Sequence, residues 1–142
     1  MSEAPEFQQI KGRYQGGIDP ATKLRNGEGT YSYTNSFFQY QGNWVNGVKT
    51  GEGALIMGDG GYYQGAFVEG EMTGKGKRVW ADGSYFEGDF STGEKHGYGE
   101  MHYGFKMNAK DESYTGDWID NRREGKGFLT MRDGTTLKGT FE

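Results

Sequence analysis

Histidines, paired carboxylates, glycine loops and clustered cations are the residue types in this chain whose spacing could support chemistry. The two histidines are His96 and His102. His96 falls in a loop with Glu94 and Lys95, and His102 falls among polar residues. No serine or carboxylate is spaced to form a base pair or metal set with either, so both read as surface polar residues. Asp111-Glu112 would hold a cation only weakly and reads as a solvated tip. The run Gly70-Glu-Met-Thr-Gly74-Lys-Gly76 has the look of a phosphate loop. Such loops open a helix whose N-terminal amides hold the phosphate, whereas a strand pattern follows here. There is no cysteine, which removes disulfides, thiolate nucleophiles and cysteine-ligated zinc and fits an intracellular protein. The expected catalytic, metal and cofactor sets are therefore empty.

Binding chemistry has more to work with. Lys75, Lys77 and Arg78, with Lys95, form one basic cluster, and Arg122, Arg123 and Lys126 form another. Either could line an edge for anionic phospholipid headgroups, at about 1 kcal/mol per charge. Glu71, Glu94 and Glu124 interrupt both clusters, so solvated loop charge is the competing reading. The net charge of −4 argues against nucleic acid as a partner. No apolar run approaches the roughly eighteen residues that span a bilayer, and Ser2 stands where myristoylation requires glycine.

The elements that position these groups come from a repeat. An aromatic, a glycine two residues on and a second aromatic two further are followed by Gly-x-Gly. The unit runs from Tyr40-Gln-Gly42-Asn-Trp44 to Gly51-Glu-Gly53, and from Tyr63-Gln-Gly65-Ala-Phe67 to Gly74-Lys-Gly76. It returns as Phe86-Glu-Gly88-Asp-Phe90 with Gly97-Tyr-Gly99, and as Tyr114-Thr-Gly116-Asp-Trp118 with Gly125-Lys-Gly127. Tyr14-Gln-Gly16-Gly-Ile18 and Leu137-Lys-Gly139-Thr-Phe141 are worn copies at the two ends, the first followed by an inserted loop from Ile18 to Asn26 that contains Pro20. A step of 23 residues from Tyr40 to Tyr63 and from Tyr63 to Phe86 lies in the range of repeat architectures.

With 27 glycines and only 21 Leu, Ile, Val and Phe residues, composition alone would favour disorder. The fixed positions of the glycines and rings argue for order.

Read with period two, each unit gives two strands. Asp59-Gly60, Asp82-Gly83 and Asp133-Gly134 are expected as two-residue turns in which both residues take positive φ. Thr34-Asn35-Ser36 takes that place in the first unit, and a longer tip runs from Gly104 to Ser113 in the fourth. Alternation puts the rings and glycines on one face, with rings from one strand lying flat over the glycines of the next. About eleven or twelve strands would make a sheet roughly 55 Å long. The rings Tyr31, Tyr33, Trp44, Tyr63, Phe67, Trp80, Phe86, Phe90, Tyr103 and Trp118 are then either the core of the repeat or a groove for a partner's peptide or helix. Both roles can hold together.

These residues resemble the MORN repeat, in which Tyr-x-Gly-x-Trp or Phe precedes Gly-x-Gly and Asp-Gly. The resemblance covers nearly the whole chain. It implies an all-β fold, an elongated single antiparallel β-sheet of about six hairpin repeats over residues 12–142, after an N-terminal extension of residues 1–11. It further implies no enzymatic activity in the repeats and a positioning role, since relatives occur in ciliary and axonemal parts, parasite basal complexes and membrane junctions. The expected function is a protein-binding scaffold in a cytoplasmic, cytoskeletal or ciliary assembly, with a phospholipid-tethering module as the alternative. Unpaired sheet edges make a homodimer an additional expectation.

Overall fold

The computed structural model describes residues 4–34 and 38–142. Its described residues form eleven strands: β1 (Tyr14–Ile18), β2 (Arg25–Ser32), β3 (Gln39–Val45), β4 (Val48–Ile56), β5 (Tyr62–Val68), β6 (Glu71–Val79), β7 (Tyr85–Ser91), β8 (Glu94–His102), β9 (Asp111–Ile119), β10 (Arg122–Met131) and β11 (Thr136–Phe141). They make one open sheet in sequence order, each strand antiparallel to the next. At about 4.8 Å per strand the sheet runs about 50 Å.

Two kinds of turn alternate along it, and they differ from the sequence expectation. Asn46-Gly47, Glu69-Gly70, Thr92-Gly93 and Asp120-Asn121 are the two-residue turns with both φ values positive, such as 49° and 81° at the first. These are the primed turns that match strand twist. At the Asp-Gly tips only the glycine has positive φ, 94° at Gly60, 92° at Gly83 and 92° at Gly134. Gly60 N–H donates to the Met57 carbonyl at 3.1 Å and Met57 N–H to the Gly61 carbonyl at 2.8 Å, which is a three-residue loop with a glycine bulge. The aspartate is there for its side chain: Asp59 Oδ1 accepts the Gly61 N–H, as Asp82 does for Ser84 and Asp133 for Thr135. Of the expected first turn, Asn35 and Ser36 lie outside the described residues.

Register explains the glycines. Gly16, Gly29, Gly42, Gly53, Gly65, Gly76, Gly88, Gly99, Gly116, Gly127 and Gly139 are successive cross-strand partners, a glycine line through all eleven strands. Beside it runs a line of larger residues, among them Tyr14, Tyr31, Tyr40, Leu55, Tyr63, Phe86, Met101, Tyr114 and Leu129. Opposed residues share a face, so glycines and rings lie together.

The ring's far end covers the next strand's glycine. A side chain at Gly53 would meet Tyr40 Oη at 2.5 Å and Cζ at 2.7 Å, and Phe86 fills the same space over Gly99. Each tyrosine hydroxyl then donates to a carbonyl three residues on in its own strand, as from Tyr40 to Asn43 at 3.0 Å and from Tyr63 to Ala66 at 2.8 Å. The rings stand edge to face on one another. Tyr14, Trp44, Tyr40, Phe67, Tyr63, Phe90, Phe86, Trp118, Tyr114 and Phe141 form one zigzag, with successive centroids 4.9–5.7 Å apart. This ladder is the core. It buries aromatic area without a second sheet, and edge-to-face pairs add about 0.5–1.5 kcal/mol each.

Residues before β1 touch the sheet. The buried side-chain amide of Gln39 accepts the Gln8 N–H at 2.8 Å and donates to the Gln8 carbonyl at 2.9 Å, which imitates one step of strand pairing.

Candidate functional site

Burial divides the ten candidate rings. Trp44, Tyr63, Phe67, Phe86, Phe90 and Trp118 are buried, between 0 % and 6 % exposed, and belong to the ladder. They offer no contact surface: the glycine line lets them sink into the sheet. Tyr31, Tyr33, Trp80 and Tyr103 are half-buried and pack against that core. Those four are the accessible ones among the ten.

Each of the four carries a cation. The guanidinium of Arg25 lies 4.4 Å from the Tyr31 ring centre. Lys49 Nζ is 5.3 Å from the Tyr33 ring and donates to its hydroxyl at 2.6 Å. Arg78 and Lys95 share Trp80, at 4.9 and 5.3 Å. Arg123 is 5.1 Å from Tyr103, whose hydroxyl accepts from its Nε at 3.1 Å. Such contacts are worth about 0.5–1 kcal/mol when exposed and about 2 kcal/mol when desolvated.

Local structure places these cations. After each primed turn the strand bulges: Trp44 pairs with Lys49, and Gly42 with Gly53. Gly51 sits inside the bulge with φ of 69°, which a side-chain-bearing residue adopts only at a cost. The residue just before that bulge faces the rings, and it is Arg25, Lys49, Met72, Lys95 or Arg123 in successive units. The next turn is pinned to the carbonyl of the same residue: Gly47 N–H donates to Arg25 at 2.9 Å, Gly70 to Lys49 at 2.9 Å, and Asn121 to Lys95 at 3.0 Å. In sequence this is a cation two residues before Gly-x-Gly. That spacing marks these side chains in the sequence, whereas the spacing of the rings alone does not reach them.

The electrostatics of these cations differ. Arg123 donates to Asp111 at 2.7 Å, and although burial opposes its charge, the hydrogen bonds it donates to Asp111 and Tyr103 hold its pKa above the usual value. Burial, with Arg78 as a secondary cause, lowers the pKa of Lys95. Burial also lowers that of Arg78, against a weaker opposing field from Asp59. Arg78 is itself an exception, because it pairs with Tyr63 and Phe86 in the line of otherwise uncharged residues.

The expected phospholipid set does not form one patch. Lys75 and Lys77 pair with Asp89 and Glu87 on the polar face, where Lys75 bridges Asp89 at 2.6 Å, while Arg78 points among the rings. Alternation along β6 puts consecutive residues on opposite faces. The histidines stay apart as well: His102 contacts Glu100 and stacks on Tyr85, and His96 lies 3.5 Å from Asp120. Among the described residues, no three His, Asp or Glu side chains come together as a metal site.

An open single-layer sheet built from a repeated hairpin, with rings and cations on one face, defines a β-repeat protein. A family model for the MORN repeat matches residues 23–36, 40–62, 63–85, 86–104 and 114–136, and the chain belongs to the MORN-repeat family. A module of this family is a protein-interaction or membrane-binding element.

Proposed function

We propose that this chain is a non-enzymatic scaffold that holds protein partners in a cytoskeletal or ciliary assembly of the cytoplasm. The observation that carries the reading is the half-buried row of Tyr31, Tyr33, Trp80 and Tyr103, each ring with a cation on it, along a face whose remaining rings are consumed by the core. Tyrosine, tryptophan and arginine together are the composition of protein-binding surfaces. The sheet beneath them is hydrogen-bonded through eleven strands, which suits a part that sets distance.

The phospholipid alternative loses its expected cluster, because Lys75 and Lys77 face away from Arg78. Affinity capture from cells with the intact chain and with a Trp80→Ala, Tyr103→Ala variant, read by mass spectrometry, tests the reading. Cytoskeletal or axonemal proteins are expected with the first and depleted with the second. Recovery without cytoskeletal proteins, or recovery unaffected by the variant, would overturn it.

A further inference from the structure

The ring-bearing face of the sheet gathers cations. The chain as a whole is acidic, at −4. Yet the ring-bearing face holds Arg25, Lys49, Arg78, Lys95 and Arg123, while Glu28, Glu52, Glu87 and Glu100 lie at opposite-face positions, where Lys75 and Lys77 have acidic neighbours. Asp111 neutralises Arg123. Among the described residues, Arg25, Lys49, Arg78 and Lys95 have no carboxylate within ion-pair distance.

The centre of this row is the least comfortable for the protein alone. Arg78 and Lys95 place two like charges on one indole, and Arg78 Nε is buried without a hydrogen-bond partner among the described residues. Burying a charged donor unpaired is unfavourable. Folding does not require a charge at the slot that Lys95 occupies, because Met72 fills the equivalent slot one unit earlier, opposite Phe67 as Lys95 is opposite Phe90. A charge that folding can do without, held among rings without a counter-charge, points to an anion supplied from outside.

We propose that an extended acidic segment of a partner protein crosses the strands on this face, with its carboxylates on Arg25, Lys49 and the Arg78–Lys95 pair. The inference rests on the protein-binding function proposed above and assigns the chemistry of the partner. Its spacing follows from the sheet. Successive cation slots are two strands apart, about 9.6 Å, which is close to one three-residue turn of polyproline II at about 3.1 Å per residue, a conformation that keeps every third side chain on the same side. Carboxylates are therefore expected at positions i and i+3 for Arg25 and Lys49, an apolar residue at i+6 for Met72, and a carboxylate at i+9 for Lys95.

A protein segment fits better than the other polyanions. Adjacent strands rotate by roughly 20°, so a flat bilayer cannot meet slots from β2 to β8 together, whereas a flexible segment follows the twist. Single-stranded nucleic acid would bring phosphates to an acidic chain at a denser spacing than the cations present.

Fluorescence anisotropy with a labelled peptide bearing aspartate at i, i+3 and i+9 and leucine at i+6 tests the proposal. A scrambled peptide of the same composition, phosphatidylserine vesicles and oligothymidylate serve as competitors. The patterned peptide is expected to bind with strong salt dependence and to outcompete the other three. Lys95→Met, a change the fold already accepts at Met72, and Arg78→Leu are each expected to weaken it about tenfold while circular dichroism stays unchanged. No peptide binding, equal binding of the scrambled peptide, unchanged affinity in the folded variants, or preference for vesicles or oligothymidylate would overturn the proposal. Cellular capture of cytoskeletal proteins that persists in Lys95→Met would defeat this inference and leave the scaffold reading standing.

Discussion

Two rows of rings share one face of the sheet and differ in what covers them. The Tyr40–Tyr63–Phe86–Tyr114 row is sealed, at 0 % exposure, because each ring ends over a glycine of the neighbouring strand. The Tyr31, Tyr33, Trp80 and Tyr103 rings have no such recess; they rest against the core half-buried, each with a cation on it. Glycine therefore separates structural rings from available ones. Where the backbone leaves room, an aromatic becomes core, and where it does not, the aromatic stays half in solvent and attracts a charge.

The largest expected effect tests the sealed row. Phe86→Ala should cost about 3–5 kcal/mol by opening a cavity over Gly99, whereas Trp80→Ala should cost about 1 kcal/mol. Urea unfolding of both variants checks this, and equal losses would abolish the distinction between the rows. The reciprocal change comes next. Gly99→Val should destabilise by about 3 kcal/mol because Phe86 occupies the space its side chain needs, although valine is the better strand former. Gly88→Val should also be unfavourable, for a different reason: its side chain would meet the backbone at Gly99.

A smaller effect, of opposite sign, is expected at the cation row. Lys95→Met should stabilise by about 1 kcal/mol or less by removing a desolvated ammonium. Because burial and Arg78 lower the Lys95 pKa, the folded protein releases this proton at lower pH than the unfolded chain does. The contribution of Lys95 to stability should thus increase as pH rises through the lowered folded value toward the ordinary lysine value of about 10.4, and Lys95→Met should lack that increase. Unfolding midpoints measured across this alkaline range check the sign. The smallest effect is expected at Gly139. It ends the glycine line on the edge strand, where nothing lies within 4 Å of an added side chain, so Gly139→Thr should change stability by less than about 0.5 kcal/mol. A large loss there would show that the line serves more than the seating of rings.

Much of this architecture is legible in the sequence, and the failures have physical causes. The 23-residue step, the alternation of rings with glycine and the worn end units were sufficient for an antiparallel meander in chain order. Turn types are less legible. Asp-Gly is a strong signal for a primed turn, but here the aspartate's own hydrogen bond to the residue after the glycine stabilises a three-residue loop. The primed turns fell instead on Glu69-Gly70, Thr92-Gly93 and Asp120-Asn121, where tertiary pinning of the turn outweighs weak local preference.

The partition of function was not legible. Periodicity assigned all ten rings to one face because it reports direction along a strand. It carries no information on depth, which depends on whether the ring's far end meets a glycine diagonally across the ladder, as Tyr40 meets Gly53. It also grouped Lys75, Lys77 and Arg78 by proximity in the chain, although their side chains alternate between faces. The sequence by itself determined the repeat, the all-β fold and the ring-bearing face, since these follow from local period and from glycines that admit close approach. Only the tertiary structure decided which rings are sealed, that Arg25, Lys49, Lys95 and Arg123 reach the available ones, and that Lys75 and Lys77 are parted from Arg78. Those outcomes depend on cross-strand register, bulges and burial, which arise when distant segments meet.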